Sequence, residues 1–495
     1  MKLKNSIDNS DFDLDKLDEI KMYVCGPTIY NDSHIGHART YIIYDTMIKY
    51  LRSKGKKVIH AMNITDVDDK IINKVHKIFK ETYNTSEVKH EDQLFDIFYE
   101  FIQEQEARFF EDMEILNVSK PDKIARVTDY IKEMTSYIDS LIEKGYAYES
   151  NGSVYFDTQA YSKKYPLVLS NANDSDVSVK TEHNSEKRNI KDFALWKKQY
   201  RNDISWQSKW GYGRLGWHLE CSVMMYHMLG ETVDVHGGGI DLKFPHHHNE
   251  YCQTTSYLDN PDWIKCFAHT GHLLVVKPQS SDLSKQGHQH INKEKMSQSL
   301  GNFITIKEFL KSYTPAQIRI LFLLSNYDKN MDLEPDSMNY ALSVEKRLFT
   351  AYKNLESEMN KNDQIQTFDD YNERIKYHFD NNFDTPSVFK ELLKFIDEAY
   401  KNNKKELYLS YFMFLKKWFD IIGLEYTIST SEKLDDFVET IIEIRNQIRD
   451  IALLEGNKET KIKLFKLADS IRDEKLKSLG VKLEDGSTAN KWYFV

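Results

Sequence analysis

Three short strings in this chain carry atoms suited to handling a nucleotide: His34-Ile35-Gly36-His37, the run His236-Gly237-Gly238-Gly239-Ile240-Asp241, and Lys295-Met296-Ser297-Gln298-Ser299. His34 and His37 stand where an apolar run, Met22 to Cys25, hands over to an amphipathic stretch. They are therefore expected beside the free N–H groups of a helix start, which attract phosphate. Gly36 removes a side chain where a flat purine must approach. Gly237, Gly238 and Gly239 read as a strand-to-helix turn whose bare backbone can close on a ligand, and Asp241 as an acceptor for ribose hydroxyls or an amino group. Lys295 offers a cation on a flexible loop, with Gln298 three positions on. Such a cation suits the charge that builds when a carboxylate attacks an α-phosphate, a reaction that positioning and electrostatics can drive without a covalent intermediate. In this order the three strings predict an ATP site that activates a carboxylic acid as its adenylate.

A fourth group of residues has metal-ligand chemistry. Cys25 ends the first apolar run, Cys221 lies in Gly216-Trp217-His218-Leu219-Glu220-Cys221, and His246 and Glu250 are four apart, on one helical face. Thiolates with an imidazole and a carboxylate suit Zn²⁺. Spacing alone leaves alternatives open: His247 or His248 in place of His246, and Cys252 in place of either thiol.

The elements that must position these residues follow from periodicity. Tyr44, Met47, Ile48 and Leu51 recur at helical spacing after the first strand. Val58 to Met62 reads as a second strand, followed by a helix burying Ile71, Val75, Ile78 and Phe79. Such alternation predicts an α/β fold with a doubly wound parallel sheet. From about Pro121 the pattern changes to a helix (Ile131 to Gly145), a strand-like Gly152 to Thr158 and a polar stretch Ser170 to Asn189, read as an insertion between two halves of the sheet domain. A strand near Thr232 to His236, a helix through Asn249 to Tyr257 and a strand at Cys266 to His269 resume it. Lys277 to Glu294 reads as a mobile surface loop leading into Lys295. Thr314-Pro315 supplies an N-cap and an N1 proline, after which the chain is mostly helical. The expected organisation is a first sheet half over residues 1–120, an inserted domain over 121–205, the second half over 206–305, a stem-contact region and helical bundle over 306–430, and a C-terminal region over 431–495.

The bulk numbers are those of a globular protein: 495 residues, 40% hydrophobic and 29% charged. The longest apolar runs, such as Ile320 to Ser325, fall well short of the ~20 residues a bilayer demands, so no membrane partner is expected. The acidic N-terminus resembles neither a secretory signal nor a transit peptide. Four scattered cysteines without a CxxC pair fit a reducing, cytoplasmic setting. A net charge of −10 argues against indiscriminate binding of nucleic acid through bulk charge but leaves room for a local basic surface facing one RNA.

Taken together, these strings resemble the cysteinyl-tRNA synthetases, class I aminoacyl-tRNA synthetases, over nearly the whole chain. MYVCGPTIYNDSHIGHART, NITDVDDKII, KRNIKDFALWK, GWHLECSVM, DVHGGGIDLKFPHHHNE, HTGHLLV and LADSIRDEKLKSLGVKLED carry the likeness, which is closer to eukaryotic cytosolic members than to bacterial ones. The resemblance implies a Rossmann-type catalytic domain with a connective insertion for the tRNA acceptor end and helical C-terminal domains for the anticodon. It implies an enzyme that joins L-cysteine to tRNA-Cys at the expense of ATP and Mg²⁺, and that acts as a monomer. It assigns one Zn²⁺ to Cys25, Cys221, His246 and Glu250, binding the substrate thiolate directly so that serine is refused without an editing domain. It places Thr65 near the substrate amino group, Trp217 and His236 around the amino acid, and His34, His37, Gly238 and Asp241 around ATP, where Gly36, Lys295 and Gln298 are also expected. Two departures stand out: Gln298 replaces a lysine usual in the KMSKS string, and His248 replaces an acidic residue. Gln298 is the sole support for an alternative, a non-catalytic tRNA-binding paralogue with a structural zinc.

Overall fold

The computed structural model describes residues 1–88, 91–166, 186–199, 203–276, 293–295, 303–425, 431–476, 481–484 and 491–494. Two compact units divide the chain, Met1–Glu425 and Tyr426–Val495. The first is built on five parallel strands: β1 (Glu19–Val24), β2 (Lys57–Ile64), β3 (Lys123–Arg126), β4 (Val233–Gly239) and β5 (Ile264–Thr270), in the spatial order β5-β4-β1-β2-β3. Helix α1 (Ile35–Ser53) follows β1, α2 (Asp69–Tyr83) follows β2, α3 (Trp217–Leu229) precedes β4 and α4 (His248–Leu258) joins β4 to β5. The order reverses at β1 and β4, so ligands are expected at the carboxyl ends of those two strands. Central strands covered on both faces must be apolar, and Ile20, Met22, Tyr23 and Val24 of β1 are all fully buried.

Between β3 and α3 lies the insertion. Its sheet is antiparallel, in the order Ala147–Ser150, Ser153–Phe156, Phe193–Lys198, Gly211–Leu215, Trp206–Ser208. This sheet therefore takes in residues 206–215, beyond the expected border at 205, because Gly211–Leu215 pairs with both Trp206–Ser208 and Phe193–Lys198. Likewise β3, within the stretch expected to open the insertion, pairs with β2 as the edge of the parallel sheet. The polar stretch expected over 170–189 lies, up to residue 185, outside the described residues.

Helices at Pro335–Glu358, Asp369–Asp380, Thr385–Asn402 and Tyr408–Ile422 complete this unit. Helix Pro315–Leu323 joins them to the sheet through one fully buried guanidinium. Arg319 donates to the carbonyls of Leu116, Asn117 and Ile422 at 3.0, 2.9 and 3.0 Å, to Thr46 at 3.1 Å, and to the Asp45 carboxylate of α1 at 2.7 Å. In the second unit, helices Ser431–Leu454 and Lys458–Ser470 accompany a strand pair, Val481–Glu484 with Lys491–Phe494, over a small core of Val438, Ile442, Leu476, Val481 and Leu483. Among the described residues no helix is long and apolar enough to cross a membrane.

Candidate active site and metal centre

Helix α1 starts where it does because its two histidines cap it. His34 is the N-cap and accepts the His37 N–H at 3.2 Å through Nδ1, while the His37 ring returns the contact to the His34 N–H at 3.5 Å. The rings stack at 3.7 Å between centroids. This is a capping box made with imidazoles. It leaves the helix start, with its field favouring anions, at the carboxyl end of β1. Burial lowers the His37 pKa to about 4, so it meets a ligand as a neutral hydrogen-bonding ring.

The segment that follows the Lys295 string is pinned to the same place. Ile35 N–H donates to Ile304 at 3.1 Å, Ile306 N–H to Ser33 at 2.9 Å, and Phe303 meets the His34 ring edge-on at 5.2 Å. On the other side Lys293–Lys295 pairs antiparallel with Leu273–Val276, which pairs in parallel with Met331–Leu333. Lys293 and Glu294, expected in a mobile loop, are thus strand residues, and backbone pairing with Leu274 holds Lys295 in the same strand. Arg39, buried in α1, braces the platform by donating to Gly271 and, at 2.7 Å, to Lys329. Gln298 lies outside the described residues, as do residues 277–292 of the expected loop.

The glycine run is not the turn expected from its sequence. Gly237 to Gly239 continue β4, and the chain turns only at Ile240–Leu242. Packing explains Gly237: a Cβ there would lie 2.6 Å from the Tyr44 ring. That ring's hydroxyl accepts the Gly238 N–H at 2.9 Å and donates to Ala268, stitching β4 and β5 to α1. Asp241 is exposed in the turn.

One pocket collects all four predicted metal ligands. Donor atoms of Cys25, Cys221, His246 and Glu250 lie within 4.8 Å of one another, all buried. Cys25 follows β1, Cys221 sits in the second turn of α3, His246 in the tight turn before α4 and Glu250 in its first turn. The two sulfurs are 4.0 Å apart, and Cys25 Sγ lies 4.0 Å from Glu250. Glu250 receives His246 Nε2 on one oxygen at 2.7 Å and His236 Nε2 on the other at 2.6 Å. His236 is thus fully buried behind Glu250. An overlapping set, Cys25, His236, His247 and Glu250, meets the same distance. His248 and Cys252 do not join either: they face each other at 3.7 Å.

The electrostatics match a cation site. A hydrogen bond from Cys25 outweighs burial and brings Cys221 down to about 6, while burial holds the Cys25 thiol well above its usual value. Burial opposes charge on His246 and Glu250, yet their attraction prevails, raising His246 to about 10 and holding Glu250 at about 2. Around them burial depresses His218, His247 and, to about 3, His269, leaving neutral imidazoles. His218 Nδ1 meets His246 Nδ1 at 3.1 Å and His269 Nε2 meets His247 Nδ1 at 2.8 Å. His218 thereby turns Nε2 of His246 toward the other donors, as ring partners of metal ligands do.

Trp217, 39% exposed, stacks on the His246 ring at 4.5 Å. Thr65 is buried at the end of β2, its hydroxyl donating to Glu220 at 3.3 Å. Burial, then the neighbouring Cys221 and Asp68, raises the Glu220 pKa well above the usual range, so this site favours a proton or a cation against its carboxyl group. Neither His218 nor Glu220 is visible as functional in the sequence, since their meaning lies in what they touch. The HLEC string gives the only local signal.

A parallel sheet with this strand order, an imidazole-capped helix at its carboxyl edge and an anchored strand leading into KMSQS define a class I aminoacyl-tRNA synthetase. Solved structures agree on the fold. The chain is similar to a methionyl-tRNA synthetase of Mycobacterium tuberculosis in complex with methionyl-adenylate (TM-score 0.56, 12% identity, 82% of this chain and 90% of that one). It is also similar to a putative arginyl-tRNA synthetase of Campylobacter jejuni (TM-score 0.54, 15% identity, 82% and 93%). A family model described as the tRNA synthetases class I (C) catalytic domain matches residues 12–343. Curated relatives include the cysteine–tRNA ligase of Encephalitozoon cuniculi, 37% identical over 98% of both chains, and the cytoplasmic cysteine–tRNA ligase of Dictyostelium discoideum, 35% identical over 95% of this chain and 74% of that one. The chain belongs to the cysteine–tRNA ligase family, and is a ligase of that class.

Proposed function

We propose that this chain activates L-cysteine with ATP to cysteinyl-adenylate and transfers the cysteinyl group to the 3′ end of tRNA-Cys. The observation that carries this reading is the convergence of Cys25, Cys221, His246 and Glu250 beside the cap of α1. Two sulfurs, one imidazole and one carboxylate within 4.8 Å suit Zn²⁺, and the two-thiol set is softer than the overlapping set with two imidazoles. Bound there, Zn²⁺ supplies a soft Lewis acid that favours a substrate thiolate over a serine hydroxyl.

The chain's own residues do the rest. Trp217 walls the amino acid against His246, and Thr65 faces its amino group. The start of α1, with His34, Gly36 and His37, receives the ATP phosphates that Mg²⁺ accompanies, and Gly238 and Asp241 border the nucleoside. Lys295 brings positive charge to the α-phosphate as the carboxylate attacks. Charge stabilisation by groups already in place lowers such a barrier without a covalent enzyme intermediate. The terminal ribose hydroxyl of tRNA then attacks the adenylate. The inserted domain, whose sheet runs from Ala147 to Leu215, holds the acceptor end, 306–430 the stem and 431–495 the anticodon, read by stacking and hydrogen bonds to single-stranded bases. The protein works as a monomer in the cytoplasm. Charging of a tRNA-Cys transcript with labelled cysteine tests the reading. Acid-precipitable, ATP-dependent label supports it, and binding of the transcript without charging would replace it with the non-catalytic paralogue.

A further inference from the structure

A chain of buried hydrogen bonds fixes the direction in which the Thr65 hydroxyl points. Asn63 accepts the Gly26 N–H at 2.8 Å and the Tyr23 hydroxyl at 3.1 Å through Oδ1. A backbone N–H can only donate, so the Asn63 amide is oriented without ambiguity and its NH₂ group must donate onward. It does so to Thr65 Oγ1 at 3.1 Å, and Thr65 in turn donates to Glu220 Oε2 at 3.3 Å. A hydroxyl has one proton and two lone pairs. Here the proton and one lone pair are committed, so Thr65 can offer a ligand only an acceptor.

Glu220 continues the same logic. It is 2% exposed, and among the described residues Thr65 is its one hydrogen-bond partner and no cation pairs with it. It lines a small cavity with Trp217, Asp68, Lys197 and Arg214. The two cations on that wall turn to Asp69, at 3.4 and 3.3 Å. Trp217, Glu220 and Cys221 share one face of α3 at spacings of three and four, so the carboxyl group stands on the face that also carries a metal ligand and the stacking wall. A buried carboxylate on a cavity wall costs free energy unless a cation faces it. The Thr65 oxygen beside it is an acceptor as well.

We propose that Glu220 is a substrate-binding residue, its carboxylate receiving the α-ammonium of the amino acid with Thr65 as the second acceptor and Asn63 as the positioning residue for both. The assignment rests on cysteine being the substrate. It adds a second contribution to thiol selection: a ligand gains affinity from its ammonium as well as from its sulfur.

Calorimetric titration of the zinc-loaded protein with L-cysteine and with 3-mercaptopropionate, which keeps the thiol and carboxylate and lacks only the amine, separates these contacts. In Glu220→Gln the amide oxygen still accepts from Thr65, so zinc content and melting temperature stay near wild type. Loss of a charged hydrogen bond weakens cysteine by about tenfold or more. Affinity for 3-mercaptopropionate stays unchanged. Should Glu220→Gln fail to fold, Glu220→Asp, which withdraws the carboxylate by one methylene, carries the same expectation. Equal weakening of both ligands, or unchanged cysteine affinity, overturns the assignment while leaving the proposed function intact. A wild type that binds neither ligand overturns both.

Discussion

Replacing Arg319 by methionine removes the guanidinium that ties the helical region to α1, with little change in volume. Five hydrogen bonds are lost, three of them to the carbonyls of Leu116, Asn117 and Ile422. Asp45 keeps Lys49 at 2.8 Å and the Ser119 N–H at 2.9 Å but loses its buried cation. Breaking a buried pair from one side costs about 3–5 kcal/mol. Each carbonyl left without a donor adds about 1 kcal/mol, so Arg319→Met is expected to lose about 5 kcal/mol or more. Asp45→Leu in the same background removes the stranded carboxylate, and the double variant recovers about 2–3 kcal/mol against the sum of the two single losses. Equilibrium urea unfolding followed by circular dichroism reads all four proteins. Arg319 and Lys49 outweigh burial and hold Asp45 below its ordinary pKa, so its contribution is complete above about pH 4, the unfolded value, and disappears as pH falls through the lower native value. The gap between wild type and variant therefore narrows only in that acid range. A single-variant loss below about 1 kcal/mol, or strict additivity in the double, would refute the reasoning.

At the metal centre, Cys221→Ser is expected to lose bound zinc on dialysis, whereas Cys252→Ser, which changes a thiol facing His248 instead, retains it. Atomic absorption on the dialysed proteins decides. His218→Phe keeps the ring but removes the Nδ1 contact to His246, and zinc affinity measured by chelator competition should fall about 10–100-fold; unchanged affinity would remove His218 from the account. Gln298→Lys gives that string the charge usual in KMSKS and should keep or raise the rate of ATP–pyrophosphate exchange, with a large loss counting against the reading of that string.

Local patterns made much of the fold legible. The alternation of Met22–Cys25, the α1 stripe and Val58–Met62 became β1, α1 and β2, and Thr314-Pro315 caps its helix with Gln317 completing the box. What periodicity could not carry was partnership. Trp206–Leu215 belongs to the inserted sheet because of strands that precede it, and Gly237 is glycine because a tyrosine of another element fills the space above it. The ligand set shows the same boundary. An i, i+4 spacing picked out His246 with Glu250, and only geometry set aside His248 and Cys252 and put His236 behind Glu250. Asn63, His218 and Glu220 touch partners up to 155 positions away, which no local pattern contains.

Cysteine-dependent ATP–pyrophosphate exchange, run with serine as control and repeated after zinc removal and readdition, tests the central claim most directly. Exchange with cysteine alone, lost with the metal and restored by it, is the predicted result. Exchange with serine at a comparable rate, or no exchange from a folded, zinc-loaded protein, would contradict it.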